Sequence, residues 1–256
     1  MFSFIVLSII LAAGIDFLSA DVVVYTSGNY KLTIVNNDPN FDQNTRQRCI
    51  DTFFATMPQM YDRFNRNGCT RDVVITIDPG YNGVTHESVD SKMIINAYRL
   101  RNPRSFSRYY DIFLHELAHL VQQYTTQNLA DVIWLGEGLA DYVRYTYGNN
   151  NLDPNWSMIE YNHTQNYDDS YKVTARFLIW LEHRYNSSII DKLDQGLREV
   201  TYKQNITWKE LTGKSVEQLW KDYSQNPNII RPIPLIKVKV TKDSLLNYNL
   251  EMDDKR

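Results

Sequence analysis

The chain has 256 residues, a net charge of −3 and 43% hydrophobic content. That is length enough for one large core without disulfide staples, and too apolar for a disordered chain. The slight negative charge argues against a nucleic-acid partner, and two cysteines are too few for a disulfide-built scaffold.

The first twenty residues open with Phe4-Ile5-Val6-Leu7-Ser8-Ile9-Ile10-Leu11-Ala12-Ala13 and end on small residues, as a secretory signal does. Cleavage is expected after Ala20, with Gly14 as second choice. Gly14 and Asp16 leave the apolar run too short for a stable membrane anchor. Export agrees with four N-x-S/T sequons, at Asn155, Asn162, Asn186 and Asn205, and with pairing of Cys49 and Cys69 in an oxidising compartment. The expected location is therefore extracellular.

Asp21 to Asn36 alternates around Ser27-Gly28-Asn29 and predicts a β-hairpin. Phe41 to Arg66 predicts an amphipathic helix with Cys49, Phe53, Phe54, Met57 and Tyr61 on its apolar side, kinked or split at Pro58. Val73 to Ile77 is a β-branched strand ended by Asp78-Pro79-Gly80. Ser91 to Tyr98 is another strand candidate. Ser105 or Ser107 is placed to cap the next helix.

That helix carries Leu114-His115-Glu116-Leu117-Ala118-His119-Leu120, an H-E-x-x-H pattern in an apolar run. Residues four apart share a helix face, so His115 and His119 can address one metal ion. Glu116 lies about 100° around the helix, where its carboxylate can reach water without being a ligand. Two imidazoles with a flanking carboxylate suit a zinc that activates water for attack on a carbonyl.

A catalytic zinc usually has three protein ligands and one open position. A third His six residues after His119 is excluded, because that position is Thr125. The alternative is a Glu on the following helix, which begins at Ile133. Glu137 lies eighteen positions after His119, enough for a turn and an antiparallel return. Asp141, one turn on, is placed to accept the outer N–H of a liganding His. Asp141 as ligand with Glu137 in support stays open as a variant.

Residues 148–169 read as a surface loop. Tyr171 to Tyr185, Ile189 to Tyr202 and Val216 to Tyr223 read as helices. Ile236 to Val240 alternates like an edge strand, and the charged end frays.

These blocks together resemble the basic secretory protein family, zinc peptidases of plants and bacteria. The resemblance is carried by Cys49, by residues 77–84, by His115-Glu116-Leu117-Ala118-His119-Leu120-Val121-Gln122, by Glu137-Gly138-Leu139-Ala140-Asp141-Tyr142-Val143-Arg144, by Tyr171-Lys172-Val173-Thr174-Ala175-Arg176-Phe177-Leu178 and by Leu219-Trp220-Lys221-Asp222-Tyr223. It implies an α+β, zincin-like fold: a small mixed or antiparallel sheet packed on the H-E-x-x-H helix, then a mainly helical second half. The implied division is signal peptide 1–20, metallopeptidase domain 21–227 and C-terminal extension 228–256. The slightly acidic charge departs from the family's "basic" label.

The resemblance also implies secretion and zinc-dependent hydrolysis of a peptide or protein substrate, with one Zn2+ per chain on His115, His119 and Glu137 and Glu116 as general base. Related zincins use a Tyr or His from the helical half as oxyanion donor, which points to Tyr171, with Tyr167 and His163 as alternates. Arg176 either binds a substrate carboxylate or pairs with Asp141. Met93 to Tyr98, with Asn96 and Ala97, is expected at the cleft edge, pairing with substrate backbone. The competing reading is a secreted binding or defence protein on the same scaffold, with little activity. The residue that separates the two is Glu116, because a structural metal site does not need it.

Overall fold

The computed structural model describes residues 20–68, 71–83, 85–88, 91–101, 106–124, 132–148, 158–186 and 188–229. The leading apolar segment, Ser105, Asn155 and the alternating stretch 236–240 lie outside them. Among the described residues the fold is α+β, with a five-stranded mixed sheet and eight helices.

Strands β1 (Asp21–Ser27) and β2 (Tyr30–Asn36) form the expected hairpin, with Ser27 opposite Tyr30. Gly28 takes φ 57° at the first position of the two-residue turn, which glycine does without steric cost. Helix α1 (Gln43–Phe64) then crosses to β3 (Asp72–Asp78), which pairs parallel to β2. Asp42 caps α1 by accepting from Thr45 N at 2.9 Å. The helix runs through Pro58 as one element rather than splitting there.

Strand β5 (Lys92–Asn96) pairs parallel to β3, and the short β4 (Thr85–Ser88) closes the sheet as an antiparallel edge. The strand order is β1-β2-β3-β5-β4. This corrects the expectation for Met93 to Tyr98. That stretch is an interior strand, paired on both sides, and not the cleft edge. Asn96 ends it and Ala97 already begins helix α2 (Ala97–Arg101). Both residues are buried, and Asn96 is occupied in tying Tyr81 O and Arg99 N to the strand end.

One sheet face buries Leu32, Ile34, Val73, Ile75, Ile77, Met93 and Ile95 in the core that α1 and α3 (Phe106–Gln122) share. Buried and half-buried residues alternate along β2 from Lys31 and along β3 from Val73, and for β2 this is the period-two signal seen in the sequence. Helix α3 packs on α1, on α2 and on the edge strand β4. Helix α4 (Ile133–Tyr147) packs on α3, and α5 (Tyr171–Arg184) on α4. Helices α6 (Ile189–Arg198), α7 (Gln204–Thr212) and α8 (Val216–Gln225) complete the second half. There Trp134, Phe177, Trp180, Trp208, Trp220 and Tyr223 form one aromatic cluster.

The expected disulfide is not formed. Cys49 is a free thiol facing the core of α1, and burial pushes it up to about 12. Cys69 lies outside the described residues. The chain up to Gly68 turns back onto Asn65, whose carbonyl accepts from Gly68 N at 2.8 Å. Asn65 is about 24 Å along the helix from Cys49 at 1.5 Å per residue. A disulfide needs Cα atoms within about 7 Å.

Helices α4 and α5 cross closely. A Cβ on Gly138 would stand 2.6 Å from Thr174 Cβ, and nearer still to its methyl. Gly138→Ala is therefore expected to destabilise by about 1–3 kcal/mol, as overpacking does. Gly196→Ala is the control, since a Cβ there meets Tyr202 Cβ at an ordinary 3.6 Å. It should be neutral, or gain up to about 1 kcal/mol of helix propensity. Urea midpoints of the two variants would check both.

Candidate metal centre

Two helices build the centre. His115 and His119 stand one turn apart on α3, and Glu137 faces them from the first half of α4. Their ligand-type atoms converge. His115 Nε2 is 3.1 Å from His119 Nε2 and 3.1 Å from Glu137 Oε2, and His119 Nε2 is 3.7 Å from the same oxygen. Three such atoms bound at about 2.0–2.1 Å around a tetrahedral ion stand about 3.3–3.4 Å apart. The triangle therefore has the size of a tetrahedral metal site, and the three residues could hold a metal ion.

The outer nitrogens support this. His115 Nδ1 is 2.9 Å from Asp141 Oδ1, and His119 Nδ1 is 3.1 Å from Gln122 Oε1. With an oxygen acceptor at each Nδ1, the Nδ1 atoms carry the protons and the Nε2 lone pairs face inward. Inward lone pairs beside a carboxylate repel one another unless a cation or a proton lies among them. Burial works against a charged His115, but the Asp141 and Glu137 hydrogen bonds prevail and lift it to about 9. Burial likewise opposes ionised Glu137, yet the hydrogen bonds from both histidines hold it well below the usual range.

Asp141 itself is almost wholly buried, and Arg144, one turn on, stands 3.6 Å from its Oδ1. Asp141 is thus on the far side of the His115 ring from Glu137, behind the triangle rather than in it. Arg144, not Arg176, is its cationic neighbour. Arg176 bonds Glu160 Oε2 at 3.1 Å and Pro227 O at 3.0 Å, so it holds two chain segments to α5. On the other side of α4, Tyr142 donates to Glu182, which also meets Arg63 from α1 at 3.2 Å. Arg63 reaches Asp191 of α6 at 2.7 Å. This polar knot fixes α4 to three other helices.

Tyr171 lies over the centre. Its ring is stacked on His115, with centroids 6.0 Å apart and planes 22° from parallel. It remains 54% exposed, and among the described residues nothing bonds its hydroxyl. Burial, then the charges of Glu137, Asp141 and Glu116, raise the phenol above its ordinary value, so it stays a donor at neutral pH. The half-buried Glu116 carboxylate is near enough for its charge to act on both His115 and Tyr171. The alternates are elsewhere. Tyr167 packs edge-on against Trp134 at 5.2 Å, and its hydroxyl accepts from Gln204 at 3.2 Å. His163 is exposed on the loop before α5.

Gln122 holds a place in the site that the sequence pattern left without a role. The available signal is its position three residues after His119, on the neighbouring helix face. The sequons at Asn162, Asn186 and Asn205 are all exposed. One divalent ion per folded chain is expected, with binding abolished in His115→Ala, His119→Ala and Glu137→Ala. Asp141→Ala and Gln122→Ala should each weaken it by about 10–100-fold, as loss of an outer hydrogen bond does. Competition against a chromophoric chelator would measure all five.

Among curated proteins none matches the chain. The family model BSP, peptidase of plants and bacteria, matches residues 25–223, far more than half of the chain, and the chain belongs to that family.

Proposed function

We propose that this chain is a secreted zinc peptidase with a zincin-like arrangement of sheet edge and metal-binding helix. The observation that carries the reading is the His115, His119 and Glu137 triangle with Glu116 and Tyr171 beside it. Peptidase membership of the family supports hydrolysis of peptide or protein substrates. The nitrogen-rich donor set and the triangle's size favour zinc over magnesium or calcium, which take oxygen ligands.

When bound there, zinc supplies a Lewis acid and an acidified water. Glu116 takes the proton of the attacking water and returns it to the leaving amine. Tyr171 donates its hydroxyl to the oxyanion that develops on the scissile carbonyl. Asp141 and Gln122 hold the histidine rings in their working tautomers. The substrate backbone lies along β4, the edge strand beside α3, in place of the interior strand β5. Secretion is supported by the apolar leading segment and the exposed sequons. Among the described residues no helix is long and apolar enough to cross a membrane.

Purified protein should cleave a broad peptide library, lose activity to a chelator and regain it with zinc. Glu116→Gln should keep zinc and lose about 10²–10⁴ in kcat, the usual worth of a general base. Tyr171→Phe should lose about 10²–10³ in kcat with little change in KM. Zinc retained by every variant, with no hydrolysis even by the wild type, would favour the binding-protein alternative.

A further inference from the structure

Tyr171 reaches the metal centre on a backbone that side chains rarely adopt. Ser170 has φ 64° and ψ −179°, a region populated almost only by glycine, and Tyr171 follows at φ 46°. Among the described residues the other non-glycine positions at positive φ, Ser91, Gln123 and Val200, occur singly. Ser170 is not retained as a helix cap, because its side chain makes no capping bond. Strain of this kind persists only where the surroundings over-determine it.

Those surroundings are Thr174 and Gly138. Thr174 N bonds Ser170 O at 3.4 Å, and Thr174 Oγ1 donates to Tyr167 O at 2.7 Å, so one residue grips the turn from both sides. Thr174 is fully buried, with its methyl filling the space that a side chain on residue 138 would need. Gly138 adjoins Glu137. The start of α5 is thus anchored one residue from the metal triangle, and the strained turn is what aims the half-exposed Tyr171 ring at His115. A relaxed turn would let a first-turn tyrosine swing toward solvent.

We propose that Thr174, seated in the Gly138 slot, is a positioning residue: its bonds to Ser170 O and Tyr167 O hold Tyr171 over the metal centre against the strain of the Ser170–Tyr171 turn. The catalytic purpose rests on Tyr171 as oxyanion donor, whereas the placement stands apart from it.

Thr174→Val tests this, because it keeps the side chain's shape in the Gly138 slot and removes the bond to Tyr167 O. Ser170→Gly is its counterpart, because glycine takes the observed φ and ψ without strain. Ser170→Gly should raise the thermal midpoint, and the zinc Kd should stay within twofold in both variants. In Thr174→Val the His115 ring-proton NMR signals, displaced by the Tyr171 ring, should move toward those of Tyr171→Leu, and kcat should fall at least tenfold with KM nearly unchanged. Adding Ser170→Gly to Thr174→Val should bring the signals and kcat back toward the wild type. Val200→Gly is the control. It relieves φ 61° at the end of α6, and should raise the midpoint without moving the His115 signals or kcat. A lower midpoint in Ser170→Gly, or His115 signals left at their wild-type positions in Thr174→Val, would overturn the positioning. Moved signals with unchanged kcat would overturn its catalytic purpose. Tyr171→Phe separates the two claims: full kcat there removes the oxyanion role, while the His115 signals still judge the turn.

Discussion

Everything at this centre depends on the hydrogen bond between His115 Nδ1 and Asp141 Oδ1, at 2.9 Å. With the His115–Glu137 contact it ties the H-E-x-x-H helix to the helix after it, and it fixes which ring nitrogen faces inward. Both partners are buried, so neither could turn to water without opening the α3–α4 packing. Arg144 balances the Asp141 charge from behind. The Tyr142, Glu182, Arg63 and Asp191 knot then holds the opposite face of α4. Glu137 is thereby delivered to the histidines by a helix that is secured on both sides.

Much of this is legible in the sequence for a plain reason. Helical spacing is rigid, so His115 falls on a common face with His119, and Glu137 with Asp141, by residue count alone. Two apolar β-branched strands and a hairpin with glycine in its turn are equally readable. What the sequence hides is relative placement. Strand β4, Thr-His-Glu-Ser, is four polar residues with no apolar alternation, as protected edges often are. The apolar strand Met93–Asn96 looks like the edge only because β4 carries no pattern of its own. Helix α7 leaves no periodic signal either, because only Trp208 among its residues is fully buried.

Arg176 shows the other limit. A cation in a helix that follows a carboxylate-bearing one invites pairing with Asp141, yet the partner is Arg144, in the same helix as the aspartate. Local spacing reports neighbours along one element. It does not report which of two arginines a fold brings inward. The Cys49 and Cys69 pairing is not made either: sequence spacing does not tell that Cys49 stays a buried free thiol on the core side of α1.

The three groups that could hold a metal ion come from only two helices, α3 against the sheet and α4 in the helical half. Helix α3 rests on α1 and the sheet; α4 rests on α5 and the bundle behind it. An ion bound between them is therefore a crosslink across the seam, by mass action rather than by a covalent bond. At a free concentration a thousandfold above its Kd, it would add about 4 kcal/mol to the folded state. Such an ion would add to the His115–Asp141 bond and the Arg63 links that already join the two sides, so the affinity of the site would be felt as extra cohesion of that seam.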